Sequence, residues 1–141
     1  LIASPADGRI KLYLMMAALR YRRDQASLFL EGAYAPLASG GSAHRHVCAF
    51  SRRLGRHTVL AVVPRLIAGL LADPTLPPLG ADVWGDTWIA LPEGTDMAVR
   101  YRNLFTGEML TPMINSEDGR PGLLLAEILS HCPVALLENL S

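Results

Sequence analysis

Cysteine is scarce in this chain of 141 residues: Cys48 and Cys132 are the whole supply. Two cannot build the disulfide framework of a small secreted scaffold, and their wide separation excludes the short-spaced pairs of zinc and redox motifs. Such cysteine usage predicts a reducing, cytoplasmic setting. Net charge is also missing, since 13 basic residues cancel 13 acidic ones, and no long-range field gathers nucleic acid or an anionic membrane. Arginines do bunch at Arg20, Arg22 and Arg23 and again at Arg52, Arg53 and Arg56. Only Tyr21 stands among the first group and no aromatic among the second, short of the repeated stacking platforms of single-strand binding, so they read as solvated faces. No run approaches the roughly 20 apolar residues of a membrane span. Nothing at the start has the basic, apolar, small-residue order of a signal peptide. Nor is there a nucleophile elbow, a dinucleotide fingerprint or a phosphate loop, because Ser39-Gly40-Gly41-Ser42 has no lysine after it.

What is present is apolar. Half of the residues are hydrophobic, ample for a core in one domain of this length. From Arg9 to about Phe29 the chain is rich in Leu, Met, Ala and Arg with no proline or glycine inside, which predicts a helix. Asp7 is its candidate N-cap, and Gly32 stands where the chain leaving the helix needs a permissive backbone. Ile10, Tyr13, Leu14, Ala17 and Tyr21 form one apolar stripe; Leu12, Met15, Met16 and Leu19 form another. A surface helix needs only one such stripe, so this one expects neighbours on more than one side.

From Tyr34 onward short β-type runs alternate with glycine and proline turns. Val47 to Ser51 and Thr58 to Val63 flank Arg52-Arg53-Leu54-Gly55-Arg56 as a hairpin. Further runs are Thr87 to Leu91, Met97 to Leu104, Leu123 to Leu129 and Val134 to Leu137. Several short strands at this spacing predict an antiparallel β-sandwich. A short helix is expected from Arg65 to Ala72, then a proline-rich loop from Asp73 to Gly85 that crosses between the sheets.

Three constellations bear on chemistry. His44, His46 and Cys48, spaced by two, would share one face of a strand as zinc ligands, but a fourth ligand and a supporting carboxylate are wanting. The alternative puts the histidines at a wet edge and Cys48 in the core. With the hairpin closing near Leu54-Gly55, His57 opposes Arg52, far from His46. Trp84, Trp88, Tyr34 and Tyr101 are candidate platforms for a sugar ring, with Trp88 half buried in its strand. Trp84, following the proline loop, is the substrate-binding candidate, weighed against a role as core anchor. Glycoside chemistry needs carboxylates held roughly 5 to 10 Å apart. Glu93, Glu117 and Asp118 instead fall in predicted turns, Asp86 borders a strand and Glu31 follows the helix, so no catalytic residue, metal or cofactor is assigned.

The order Asp7-Gly8-Arg9-Ile10-Lys11-Leu12, Leu19-Arg20-Tyr21-Arg22-Arg23-Asp24, Leu28-Phe29 and Gly32-Ala33-Tyr34-Ala35-Pro36-Leu37 resembles the end of the catalytic barrel and the entry to the terminal domain in maltooligosyl trehalose synthases. These belong to the alpha-amylase superfamily. The resemblance continues through His46-Val47-Cys48-Ala49-Phe50-Ser51-Arg52, Val62-Val63-Pro64-Arg65, Val83-Trp84-Gly85-Asp86-Thr87, Leu104-Phe105-Thr106-Gly107 and Cys132-Pro133-Val134-Ala135-Leu136-Leu137. The first block speaks for the superfamily, while Val-Pro-Arg and Trp-Gly-Asp-Thr select the trehalose-forming branch.

The resemblance implies an isomerase, an intramolecular glucosyl transferase, that turns the reducing end of a maltooligosaccharide into a trehalosyl end through a retaining double displacement between barrel carboxylates. A whole (β/α)8 barrel needs about 200 residues or more, so the chain is expected to hold only its final helix. Leu1, too bulky to follow a trimmed methionine, is expected to mark a cut from a longer protein. Residues 1–31 are then the last barrel helix and 32–141 a C-terminal β-sandwich, inactive alone. Its partners would be the catalytic barrel of the same polypeptide and, through that parent, the maltooligosaccharide. Self-association through the open face of the first helix is also expected. The alternative is a free-standing carbohydrate-binding or interaction module, whose first helix should be fully packed.

Overall fold

A computed structural model describes residues 9–66, 78–92, 94–115 and 119–140, with side chains from residue 12 onward. Helix α1 (Arg9–Asp24) is followed by a second, short helix α2 (Ala26–Glu31), where one helix to about Phe29 was anticipated. The break falls at Gln25: its amide still bonds to Tyr21 O at 2.8 Å, but its φ and ψ of −115° and 41° leave the helical region. Gly32 ends α2 by close approach rather than by a left-handed turn. Its φ is −66°, and a Cβ there would stand 2.1 Å from the Leu28 carbonyl oxygen.

Strands β1 (Ala33–Pro36) and β2 (Ser39–Gly40) lead through one 3-10 turn (His44–His46) into the hairpin of β3 (Val47–Leu54) and β4 (His57–Pro64). The hairpin closes later than its spacing suggests, so His57 pairs with Leu54, and Arg52 pairs with Val59 rather than with His57. Gly55, at φ +61°, supplies the left-handed first position of a two-residue turn, the geometry that matches the twist of the flanking strands. Then come α3 (Gly80–Trp84), β5 (Trp88–Ala90), β6 (Arg100–Asn103), β7 (Met109–Leu110), β8 (Met113–Ile114), β9 (Pro121–Leu124), α4 (Leu125–Ile128) and β10 (Ala135–Leu140).

The run Leu123 to Leu129, expected as one strand, divides into β9 and α4. Leu125, Ile128 and Leu129 recur at three-to-four spacing, which gathers them on one side of a helical turn, and all are buried. The helix expected from Arg65 and the loop after it lie mostly outside the described residues. Arg65 and Leu66 are not helical, and the last part of the loop region coils into α3.

Among the described residues two sheets form, ordered β1-β3-β4-β10-β6-β7 and β2-β5-β9-β8, and every pairing is antiparallel. This is the mainly-β antiparallel sandwich preceded by a long helix that the run spacing predicts. Its core joins Val47, Ala49, Leu60, Val62, Tyr101 and Leu137 of the larger sheet to Ile89 and Leu123 of the smaller, with Trp84, Leu125, Ile128 and Leu129 contributed by α3, α4 and the residue after it.

Helix α1 crosses the outer face of the six-stranded sheet. Tyr13 Oη donates to Phe105 O at 3.0 Å, and Tyr21 reaches His57 on β4 and Glu138 on β10. Val59, turned outward by strand alternation, is nonetheless buried, as is Leu28 of α2, because the helices cover this part of the sheet. The other stripe of α1 stays open: Leu12, Met15, Met16 and Leu19 are 59%, 51%, 43% and 56% exposed. Among the described residues no helix is long and apolar enough to cross a membrane.

Candidate functional site

The aromatic candidates separate cleanly. Trp84 is 0% exposed, and its indole N–H donates to Pro78 O at 2.9 Å. It offers no ring face to a sugar, so the exposure that made it the substrate-binding candidate is absent. The short helix α3 folds the ring inward, where its large apolar area anchors the core. Tyr101 is likewise buried, and that burial pushes its phenol above the ordinary value. Tyr34 remains outside, 57% exposed, tilted against Phe50 at 5.4 Å between ring centroids with the Arg52 guanidinium 5.6 Å from its own centroid.

Trp88 is the half-buried aromatic that the alternation of its strand implies. It lies on the face of the four-stranded sheet turned away from the core, since its neighbour Ile89 is fully buried. Gly40 and Leu124 pair with it on either side, on β2 and β9. The indole takes the space that a side chain at Gly40 would fill: a Cβ there would sit 2.4 Å from Trp88 Cζ2. Around the ring runs a groove of about 280 Å³ lined by Asp86, Met113, Ile114, Asn115, Gly122 and Leu124. Asp86 Oδ1 accepts the Ser42 N–H at 3.0 Å, and this backbone hydrogen bond holds its carboxyl below the usual carboxylate range. Trp88 Nε1 is buried without a hydrogen-bond partner among the described residues.

The histidines and Cys48 do not converge. His44 and His46 lie in the 3-10 turn rather than on a strand, with their Nδ1 atoms 3.0 Å from Gly41 O and 3.1 Å from Leu66 O. Cys48 is exposed on β3, so the alternative core placement fails as well, because Val47 and Ala49 take the inward positions. Among the described residues no three His, Cys, Asp or Glu side chains group as metal ligands.

Carboxylates are mostly engaged singly. Asp96 Oδ1 accepts the Ala98 N–H at 2.9 Å. Glu108 and Glu127 share a groove of about 440 Å³ with Ser130. Glu108 there accepts the Ser130 hydroxyl at 3.2 Å and sits 3.3 Å from His131 Nδ1, while Glu127 is exposed on α4. Glu93, Glu117 and Asp118 lie outside the described residues.

One cluster escaped the sequence reading. Tyr21 Oη donates to Glu138 Oε2 at 2.6 Å, and His57 Nε2 is 2.8 Å from the phenol and 2.9 Å from the same carboxylate oxygen. Because the phenol's single proton goes to Glu138, Nε2 must carry the proton it shares between the two oxygens. Arg102 Nη2 donates to Oε1 at 3.3 Å. Burial by itself raises the Glu138 carboxyl, but hydrogen bonds from Tyr21 and His57 and the positive charges of His57 and Arg102 outweigh it and leave it below its ordinary value. Burial and then the neighbouring Glu138 drive the Tyr21 phenol far up. The cluster ties α1 to β4, β10 and β6. Its four members come from distant parts of the chain, so only the position of Tyr21 in an apolar helix stripe hinted at it.

No protein-family model matches the chain, and neither does any curated protein sequence. Among solved structures it is similar to the noncanonic maltogenic alpha-amylase AmyB from Thermotoga neapolitana, with a TM-score of 0.54 at 13% identity, over 86% of this chain and 23% of that one. The chain thus spans less than a quarter of that enzyme's length. At such identity the likeness concerns the fold alone: a helix-led antiparallel sandwich that also occurs within a maltogenic alpha-amylase.

Proposed function

We propose that this chain is the C-terminal part of an alpha-amylase superfamily enzyme, residues 1–31 forming the last helix of its catalytic barrel and 32–141 an accessory sandwich that braces it. The observation that carries this is the two-sided use of α1. One stripe is bound to the sandwich through Tyr13 and Tyr21, and the other leaves Leu12, Met15, Met16 and Leu19 in water. Contiguous exposed apolar area of this kind marks a surface meant to be covered, and a helix that belongs to a barrel would be covered by its neighbours. The fold likeness to part of a maltogenic alpha-amylase supports the same parentage.

The finer assignment, a maltooligosyl trehalose synthase acting in the cytoplasm, rests on the sequence resemblance. In it the barrel carboxylates break and remake the glycosidic bond, and this chain supplies none of them. The coding sequence upstream of Leu1 is the test. Several hundred residues of alternating strands and helices ending at α1 are expected; a stop codon or an unrelated domain there would contradict the parentage.

A further inference from the structure

We infer that the groove at Trp88 is a carbohydrate-binding site that takes a single pyranose ring. The inference rests on the carbohydrate reading above for the class of ligand and on the geometry of β2, β5, β8 and β9 for its place. Gly40 leaves room for the indole to settle against the sheet. Met113 and Ile114, 41% and 55% exposed, and Leu124 complete an apolar wall.

A pyranose has an apolar face of C–H groups and a rim of hydroxyls. The face suits an aromatic ring, and the hydroxyls need acceptors beside it. Asp86, held in place by the Ser42 amide that donates to its Oδ1, stands on the groove wall as such an acceptor. That carboxylate disfavours the anionic headgroup of a lipid or an acidic peptide. The groove, about 280 Å³, lies just below the roughly 300–1,000 Å³ typical of ligand sites, which limits it to one ring rather than a length of chain.

The indole N–H adds an independent argument. Trp88 Nε1 is buried and has no partner among the described residues, a cost that a phenylalanine at the same position would avoid. A structural ring on this face needs no such atom, whereas a wide, flat platform needs the larger indole.

The decisive experiment titrates the 141-residue chain with maltopentaose while following tryptophan fluorescence, alongside an apolar dye that fills hydrophobic grooves. A saturable response is expected, weakened about tenfold or more by Trp88→Ala. Trp88→Phe should weaken it while leaving thermal stability unchanged or higher, because it removes the unpaired N–H. Asp86→Asn, which keeps an oxygen for the Ser42 amide, should weaken it about threefold. Absence of a saturable response, a response that survives Trp88→Ala, or capture of the dye without the sugar would overturn the site. Sugar binding by a chain encoded behind no barrel would sink the parentage and keep the site; a silent groove behind a genuine barrel would do the reverse.

Discussion

Single residues decide more here than their sequence context announces. Trp84 and Trp88 lie four positions apart, yet α3 turns the first into the core while β5 lays the second on an outer face. Replacing Trp84 by Ala should therefore cost about 3–5 kcal/mol by opening a large cavity, read as a lower midpoint in denaturant unfolding. Glu138 gives a pH signature. Its carboxyl is depressed in the folded chain, so its contribution is present above the unfolded value of about 4.3 and lost as pH falls through the folded one. Glu138→Gln should destabilise by about 1–3 kcal/mol near neutral pH, and the gap to the parent chain should close in strong acid. A gap that stays constant down to strong acid would show that the carboxylate is not what the joint uses.

At the scale of elements, helix α1 shows how far periodicity reaches. Its two stripes were readable as stripes because a 3.6-residue period writes them directly into the chain. Which stripe meets the sheet was not, since the choice depends on Tyr13 and Tyr21 finding Phe105, His57 and Glu138 far along the chain. The break at Gln25 carries no proline or glycine to signal it. The α4 turn was hidden because Leu123 to Leu129 is apolar throughout, and a short apolar run fits strand and helix alike. In the hairpin the slip to Leu54 opposite His57 came from the two-residue turn at Gly55-Arg56, which fixes register more tightly than the basic run around it suggested. The open stripe of α1 makes a prediction of its own. The isolated chain should self-associate with rising concentration in sedimentation, and Leu12→Glu with Leu19→Glu should return it to a monomer without lowering its melting temperature. Unchanged association in that double variant would remove α1 as the contact.

Taken as a whole molecule, the sandwich was the most legible feature, since period-2 runs punctuated by glycine and proline prescribe antiparallel strands. The groove at Trp88 was least legible. It needs Gly40, Trp88, Gly122 and Met113 brought side by side from four strands, and single-residue spacing says nothing of that. The central proposal is that the carboxylates that turn the reducing end of a maltooligosaccharide into a trehalosyl end lie on a barrel joined to this chain. Loss of reducing ends from maltopentaose tests it most directly, measured for this chain alone and for the polypeptide that joins it to the residues encoded upstream. The account predicts no loss with the chain alone and progressive loss with the joined polypeptide; turnover by the chain alone, or none by the joined form, would contradict it.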